Sequence, residues 1–329
     1  MYRRKYKTVI IGCGGIAGGY DANLKRGDWP LTHVGAFSAH DGFEVIACCD
    51  PDLDNRLAFQ QRWKIPLGIS YPEELAAHGL SVDVVSLCSP TVLHAQHLKT
   101  VLDWQPKLLF CEKPITPKID ETEYWIQQYK TAGILFLVNY SRRWDPDICI
   151  LREDILGKRW GKIRSVSGTY NKGILNNGGH MIDLILYLLG SLRVIAAGKE
   201  IFDFWPDDPS VPALLETQDG IPVTLNIADA GDYALFELQI VTERGVLRMN
   251  DGGMNWSRQP VIDSKDFPGY RTLGQTTVQQ GLYREAMTHA IAGINKVLNE
   301  GGDSPSTGAT ALEAQRICQQ IRECSLKTF

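Results

Sequence analysis

The chain lacks the features that mark membrane-spanning and nucleic-acid-binding proteins. None of its apolar runs reaches the roughly 18 residues that a membrane-spanning helix needs. The net charge is −4, and residues of both signs are scattered along the whole chain. No basic segment is present that would bind nucleic acid or an anionic membrane surface. We therefore expect neither a nucleic acid nor a membrane as partner.

The eight cysteines show no spacing that indicates a metal site or a disulfide framework. The chain has no Cys-x-x-Cys pair and no Cys/His spacing of the kind that zinc sites use. Several cysteines lie within apolar runs, such as residues 44–49. Small buried thiols are typical of proteins in a reducing compartment. The sequence therefore predicts a cytoplasmic protein without a metal.

The first half of the chain alternates apolar runs with helical segments. A chain of 329 residues is too long for one ordinary core, so two domains are expected. Continuous apolar strands separated by helices are typical of a parallel sheet that is covered on both faces. Strands are expected over 7–11, 43–49, 82–88, 107–111 and 134–139, and helices over 54–62, 93–102 and 120–132.

The second half has a different pattern, in which period-two segments dominate. Such segments, separated by turn residues, are typical of antiparallel strands. Helices are expected over 182–189, 279–298 and 309–326, and strands over 223–227, 234–241 and 245–249. We expect an α/β protein with an N-terminal Rossmann doubly wound parallel sheet. A C-terminal α+β domain with an open, mostly antiparallel sheet follows. Residues 1–140 should bind a dinucleotide, and residues 141–329 should bind substrate and form the oligomer contacts.

A glycine loop of the form G-x-G-x-x-A directly follows the first expected strand. Gly12 permits the tight turn, Gly14 lets the backbone approach a diphosphate, and Ala17 allows close packing of helix on strand. Exposed amides of the loop, including those of Gly15 and Ile16, and the positive end of the following helix can hold the diphosphate. The alternative is a glycine turn that binds nothing.

Asp50 ends the second expected strand, where a carboxylate can accept hydrogen bonds from both hydroxyls of an adenosine ribose. Its charge would repel a 2′-phosphate, and no arginine follows closely, the nearest being Arg56. The sequence therefore favours NAD over NADP as cofactor.

The interval between Gly12 and Asp50 is unusually long. It spans 38 positions, against roughly 20 in the usual dinucleotide-binding fingerprint. The surplus is expected in the polar segment 20–32, which contains Gly and Pro and is not one regular helix. This insertion either lines the active site, with Asp28 or Trp29 near substrate, or is a surface loop without function.

Two further segments carry residue types suited to proton transfer. Lys113 follows the fourth expected strand, where an ammonium group can share a proton with a substrate hydroxyl. His180 and Asp183 are three residues apart on a helix and share one face. An imidazole titrates near neutrality, and a carboxylate can orient it. The alternatives are a surface lysine before a turn and a structural histidine.

Five motifs occur in order along the chain. They are GCGGIA at 12–17, CSPTVLH at 88–94, EKP at 112–114, NYSRRWDP at 139–146 and NNGGHMID at 176–183. Together they resemble the Gfo/Idh/MocA family, the group of glucose–fructose oxidoreductase and inositol dehydrogenase. The resemblance covers nearly the whole chain. It implies an NAD(P)-dependent oxidoreductase that transfers a hydride between the nicotinamide and a secondary alcohol or ketone of a sugar, sugar derivative or inositol.

The resemblance also implies roles for individual residues. The catalytic residues are Lys113 and His180, with Asp183 behind them. The cofactor contacts beyond the glycine loop and Asp50 are Ser89, Pro90, Thr91, His94, Glu112 and Lys113. The substrate contacts are Arg142, Tyr170, Asn171, Asn176 and His180. By contrast, His97 is expected on the helix surface, and Arg143 is expected in a structural ion pair.

The chain departs from the family pattern at Asn176. Many relatives have an aspartate four residues before the catalytic histidine, and an amide cannot accept a proton as that carboxylate does. Two alternative functions remain, an NAD-dependent glycoside hydrolase that oxidises its substrate transiently and a non-catalytic dinucleotide-binding protein. Because one face of the second sheet is left uncovered by helices, we expect a homodimer or homotetramer.

Overall fold

The computed structural model describes residues 5–25 and 27–327. These residues form two compact units. Unit 1 comprises the chain up to Trp144 together with Arg284–Leu312, and unit 2 comprises Asp145–Tyr283 together with the chain from Glu313 onwards. Within the described ranges, no helix has both the length and the apolar character required to cross a bilayer. No three His, Cys, Asp or Glu side chains of those ranges are grouped as metal ligands would be.

Unit 1 contains a six-stranded parallel sheet. Its strands are β1 (Tyr6–Ile11), β2 (Phe43–Cys49), β3 (Leu67–Ile69), β4 (Val84–Leu87), β5 (Leu108–Cys111) and β6 (Leu135–Val138). Its first helices are α1 (His33–Ala39), α2 (Leu53–Trp63), α3 (Thr91–Asp103) and α4 (Ile119–Thr131). The strand order β3-β2-β1-β4-β5-β6 is that of a Rossmann fold. The predicted doubly wound sheet is therefore confirmed, and β3, which has only three residues, is a strand that the sequence pattern did not indicate.

Unit 2 contains a nine-stranded sheet that is mostly antiparallel. Its strands are β7 (Ile163–Tyr170), β8 (Leu192–Ala197), β9 (Ala213–Thr217), β10 (Pro222–Ile227), β11 (Phe236–Thr242), β12 (Gly245–Asn250), β13 (Asn255–Asp263), β14 (Arg271–Leu273) and β15 (Thr277–Gln280). Its first helices are α5 (Pro146–Leu156) and α6 (Gly179–Leu189). The order is β14-β13-β12-β11-β7-β10-β9-β8, with β15 on β13. β7 pairs with β10 in parallel, whereas its other neighbour, β11, is antiparallel.

The last two helices are α7 (Ala286–Glu300) and α8 (Gly308–Lys327). α7 and the loop after it group with unit 1, although the sequence pattern placed them in the second half. The loop is fixed there by side-chain and main-chain contacts with β6. Ser306 donates its hydroxyl to the Val138 carbonyl at 2.6 Å, and Thr307 forms a β-bridge with Leu137. The functional division of the chain at residue 140 stays a prediction.

Candidate active site

The helix expected after the glycine loop is split by the insertion. The His33 amide donates to the Ile16 carbonyl at 3.2 Å, and the Val34 amide donates to the Ala17 carbonyl at 2.9 Å. In an uninterrupted helix these carbonyls would accept from residues 20 and 21. α1 therefore continues the turn of the glycine loop, and the intervening residues form a loop inserted between two helical turns. The surplus residues therefore lie in the region of the predicted segment 20–32.

Asp21 closes the base of this insertion. Its carboxylate is fully buried and accepts hydrogen bonds from the amides of Leu31, at 3.0 Å, and Thr32, at 3.1 Å. Thr32 in turn caps α1 by accepting a hydrogen bond from the Gly35 amide. The insertion is thus tied to the start of α1 by a buried carboxylate, while Trp29 in its outer part is 45% exposed.

The glycines of the loop meet different surroundings. Gly12 has a φ of +91°, and a Cβ there would lie 2.7 Å from the Ser89 nitrogen, so the loop passes directly against the end of β4. A Cβ on Gly15 would lie 2.8 Å from the ring of Tyr20, a contact that the sequence gave no reason to expect. Gly14 is exposed, and a Cβ there would have no atom within 4 Å. The space above Gly14 is therefore open to a ligand.

Asp50 lies at the end of β2, next to the glycine loop. Its Oδ2 accepts a hydrogen bond from the Cys13 amide at 2.9 Å, and its Oδ1 accepts one from the Asp52 amide at 2.9 Å. Arg56, the nearest arginine in the sequence, lies close to this strand end. The guanidinium of Arg56 donates to the main-chain carbonyl of Asp50, because the first turn of α2 folds back over the strand end.

The loop after β4 is held by two histidines. His97 is 9% exposed and its Nδ1 lies 2.9 Å from the Ser89 hydroxyl, so its expected surface position is wrong. His94 is fully buried. Its Nε2 lies 2.8 Å from the Ser89 carbonyl and its Nδ1 lies 3.0 Å from the Ile115 carbonyl. Burial lowers the pKa of His94. This ring joins two loops of the protein, and we no longer expect it to touch the cofactor. The neighbouring Pro90 is exposed and Thr91, the first residue of α3, is half-buried.

Lys113 lies on the same sheet edge as the glycine loop. In the parallel register Ile11 is paired with Leu87, and Leu87 is paired with Cys111. The residues that follow β1, β4 and β5 therefore emerge side by side at the carboxyl edge of the sheet, where ligands of this fold class bind. Lys113, one residue further along, is half-buried.

Glu112 takes part in a buried hydrogen-bond network with His33, Ser86 and Asn139. Its Oε1 lies 2.7 Å from the His33 Nε2 and accepts a hydrogen bond from the Asn139 amide at 2.7 Å. The His33 Nδ1 lies 2.7 Å from the Ser86 hydroxyl. Burial alone would raise the pKa of Glu112, but the hydrogen bonds from His33 and Asn139 hold it below the usual value. Glu112 was expected to touch the cofactor, whereas this oxygen is engaged within unit 1.

The His33 ring carries a raised pKa. Burial alone would lower it, but the Cys88 sulfur and the Glu112 carboxylate raise the pKa of His33 to about 10. When its imidazole is protonated, His33 forms an ion pair with Glu112 at 2.7 Å.

This ion pair predicts a pH dependence of stability. Because the folded-state pKa of His33 exceeds the ordinary 6.5, its contribution to stability is fully present below pH 6.5 and is lost as pH rises through about 10. The free energy of unfolding of the unmodified protein, minus that of His33→Gln, should therefore decrease over this interval. Urea denaturation of both proteins between pH 6 and 10 measures the difference. A difference that stays constant would contradict the ion pair.

The second group of expected site residues lies in unit 2, at the start of α6. Asn176 belongs to a short π-helical segment, Gly173–Gly178, whose amides are held by a carboxylate. Asp208 accepts hydrogen bonds from the amides of Leu175, at 2.9 Å, and Asn176, at 3.0 Å. His180 is half-buried one residue into α6, and Asp183 is 1% exposed one turn later. The shared face of these two residues is as expected.

Two of the expected substrate contacts have structural roles instead. Tyr170 and Asn171 are both fully buried. The Tyr170 hydroxyl donates to the Val211 carbonyl at 2.8 Å. The Asn171 amide donates to the Tyr233 carbonyl at 2.6 Å, and its oxygen accepts from the Leu235 amide at 3.2 Å. Since both side chains hold backbone of their own unit, we do not keep them as substrate contacts.

The two arginines after β6 are both buried. Arg143 donates to the Pro305 carbonyl at 2.8 Å, which is a structural hydrogen bond, and its expected ion pair stays a prediction. Arg142, 8% exposed, remains the expected substrate contact of the pair.

The residues of unit 1 fit a dinucleotide. Gly14 leaves open space above the loop, and the Asp50 carboxylate lies at the neighbouring strand end, within hydrogen-bond distance of the loop. Together they suit a diphosphate on the loop amides and a ribose on the carboxylate. Fold and site define a dinucleotide-binding protein of the Rossmann class.

Comparison with known proteins finds similar oxidoreductases. Residues 6–140 match the model of the GFO_IDH_MocA oxidoreductase family, described as an NAD-binding Rossmann fold. The D-glucoside 3-dehydrogenase of Escherichia coli is 22% identical, over 76% of this chain and 68% of that protein. The inositol 2-dehydrogenase of Rhizobium meliloti is 24% identical, over 71% of this chain and 75% of that protein. These matches support the resemblance of the chain to the Gfo/Idh/MocA family of oxidoreductases.

The fold is shared with solved structures over almost the entire chain. An oxidoreductase from Agrobacterium radiobacter, solved with NAD+, L-tartaric acid and magnesium, superposes with a TM-score of 0.78 at 16% identity. The match covers 99% of this chain and 98% of that one.

The family-model match and the relatives together support an NAD(P)-dependent dehydrogenase or reductase as the class of this protein, with NAD as its cofactor.

Proposed function

We propose that the protein reversibly oxidises a secondary alcohol of a sugar, a sugar derivative or an inositol. The observation that carries this proposal is the position of Lys113 on the carboxyl edge of the sheet, two strands from the glycine loop. The relatives named above, which act on a glucoside and on inositol, support the substrate class. The comparisons favour neither a glycoside hydrolase nor a non-catalytic binding protein.

Lys113 has the chemistry that the alcohol requires. NAD, when bound, accepts a hydride from the carbinol carbon or, in its reduced form, returns one to the ketone. The Lys113 ammonium donates a hydrogen bond to the substrate oxygen and shares its proton as the C–O bond order changes. A half-buried amine at this position is partly shielded from water, which strengthens its interaction with a developing negative charge.

His180 is assigned to proton exchange with the substrate hydroxyl. Its imidazole can accept the proton during oxidation and return it during reduction. Asp183, on the same face of α6, would orient the ring. Asn176 can donate or accept a hydrogen bond but cannot take up a proton, so it would position the substrate.

The proposal is tested by a screen of sugars, sugar acids, inositols and nucleotide sugars for NAD reduction at 340 nm. The expected result is stoichiometric NADH formation with at least one polyol. Cleavage of a glycoside without net NADH formation would instead indicate hydrolysis by transient oxidation. Binding of NAD without turnover of any compound would indicate a non-catalytic protein.

Asp50 should determine the preference for NAD. Replacing it with serine removes the charge that repels a 2′-phosphate. The positive charge of Arg56, which contacts the main-chain carbonyl of residue 50, remains to attract that phosphate. The ratio of the Kd for NAD to the Kd for NADP should therefore rise at least about tenfold, equivalent to about 1.4 kcal/mol. Calorimetric titration measures both constants.

Asp52→Ser is the matched control for this change. It removes a carboxylate two positions away, which caps α2 by accepting from the Asn55 amide, and it should leave the NAD/NADP ratio unchanged. The double variant Asp50→Ser, Arg56→Leu should lose the gain in NADP affinity. An unchanged ratio in Asp50→Ser would contradict the assignment.

We also keep the expected homodimer or homotetramer and the cytoplasmic location as proposals. In β11 the side chains alternate between buried and half-buried, and the half-buried set includes Glu237 and Gln239. This second face of the sheet can pair with a copy of itself. Light scattering should give two or four times 36.7 kDa, and a monomer would contradict the proposal.

A further inference from the structure

His33 connects the two parts of unit 1 that matter for the reaction. Its main-chain amide donates to the Ile16 carbonyl in the glycine loop. Its side chain lies 2.7 Å from the Oε1 of Glu112, the residue that precedes Lys113. The ring is fully buried and packs on Phe110, with ring centroids 4.9 Å apart. A single residue is therefore attached to the diphosphate-binding turn by its backbone and to the lysine-bearing strand end by its imidazole.

We propose that His33 is a positioning residue that fixes Glu112, and through it Lys113, relative to the glycine loop. The inference rests on the proposed function only for the role of Lys113. The five motifs named above do not include His33, which directly follows the inserted segment.

The contacts of Glu112 leave its strand end little freedom. Its amide donates to the Leu87 carbonyl at 2.9 Å, which holds the backbone to β4. Its Oε1 is held by the His33 ring and by Asn139. With only 14% of its side chain exposed, water competes weakly for these hydrogen bonds. Backbone and side chain of Glu112 are thus both fixed, and Lys113 leaves this fixed point directly.

The His33 ring is oriented from its other nitrogen as well. Ser86, fully buried in β4, places its hydroxyl 2.7 Å from the His33 Nδ1. Serine, histidine and glutamate in this order resemble a hydrolytic triad. A fully buried hydroxyl in a central strand cannot attack a substrate, so the arrangement serves to hold the ring.

The insertion adds a third attachment. Asp21 accepts hydrogen bonds from the amide and the hydroxyl of Thr32, the residue immediately before His33. The base of the insertion is therefore joined to the same histidine. The base of the insertion thereby takes part in positioning Lys113. This role does not depend on what the outer part of the insertion contacts.

Two amide variants separate the contacts of His33. Glutamine is long enough to place an NH2 group near the position of Nε2 and to donate to Glu112. Asparagine reaches only the position of Nδ1 and leaves Glu112 without this partner. Both substitutions remove the ring and its charge, so their difference isolates the hydrogen bond to Glu112. His40→Gln is the control for a histidine change at the other end of α1, where the ring accepts a hydrogen bond from the Gly42 amide.

The first readout needs no substrate. Lysines are reductively methylated with 13C-formaldehyde, and the Lys113 NMR signal is identified as the one missing from Lys113→Arg. With NAD bound, the signal should move in His33→Asn, and should lie close to its original position in His33→Gln and His40→Gln. An unmoved signal in His33→Asn would overturn the proposal.

The second readout is turnover of the polyol with the highest rate in the substrate screen. His33→Asn should lower kcat by about 10- to 100-fold, since a misplacement near 1 Å can cost 10²-fold. The Kd for NAD should change less than about twofold, and His33→Gln should recover most of kcat. Equal losses in both variants, or losses that follow the thermal midpoint, would overturn the positioning role. If no polyol is turned over while the NMR signal moves as stated, the proposed function fails and the positioning inference stands. If Lys113→Ala keeps full activity, only the catalytic role of Lys113 fails.

Discussion

Replacing Lys113 with alanine should lower kcat by about 10²- to 10⁴-fold, the range that general acid–base groups contribute. The Kd for NAD should change by less than about threefold, because the glycine loop and Asp50 are untouched. The reason is that the developing negative charge on the substrate oxygen loses its hydrogen-bond donor. Steady-state kinetics with the best polyol, together with calorimetric titration of NAD, measures both quantities.

Lys118→Ala is the matched control for this loss. Lys118 lies five residues further along, and its side chain is 71% exposed, so its removal should leave kcat unchanged. If Lys113→Ala retained more than about a tenth of the activity, the lysine would not be the proton partner, and the assignment of the reaction would need another residue.

Gly14→Ala should weaken NAD binding at least about 30-fold, or 2 kcal/mol, without lowering the thermal midpoint. A Cβ at Gly14 meets no protein atom within 4 Å, so the folded protein accommodates it. The same methyl group would occupy the space in which the diphosphate approaches the backbone. Calorimetry and thermal denaturation of the variant test the two halves of this prediction.

Gly12→Ala provides the contrast. Here the Cβ would lie 2.7 Å from the Ser89 nitrogen and 2.8 Å from the Cys88 carbonyl carbon, at a φ of +91°. Both the contact and the backbone conformation are unfavourable, so the thermal midpoint should fall sharply. Equal midpoints in the two variants, or normal NAD affinity in Gly14→Ala, would contradict the described loop.

The sequence predicted the part of the fold that is repetitive and local. Each of the five strands expected in the first half is present to within two residues, because buried parallel strands are continuous apolar runs. The position of the insertion followed from two fixed points, Gly12 and Asp50, whose spacing in the fingerprint is known. The sequence did not show that the segment is inserted between two turns of one helix. Only the main-chain hydrogen bonds of His33 and Val34 in the structure show this.

Strands at the far edge of the second sheet were harder to predict. β15 occupies residues 277–280, where the sequence pattern had extended a helix from 279. All four of its residues are exposed, so no alternation of apolar and polar side chains marks it as a strand. Its structure is set by pairing with β13, a contact that no local pattern records.

The site residues that were misjudged share one cause. His94, Tyr170 and Asn171 are polar and lie beside recognisable motifs, so they were expected to touch cofactor or substrate. Each is instead fully buried and hydrogen-bonded to backbone of its own unit, a property that depends on tertiary packing. His33 was overlooked for the same reason, since its partners Ser86 and Glu112 lie 53 and 79 positions away.

The most direct measurement is a calorimetric titration of the purified protein with NAD and, separately, with NADP. A diphosphate held by the glycine loop and a ribose held by Asp50 predict one saturable site per chain, with NAD bound more tightly than NADP. Absence of binding heat at several temperatures for both dinucleotides, in a protein that is folded, would contradict the account at its foundation.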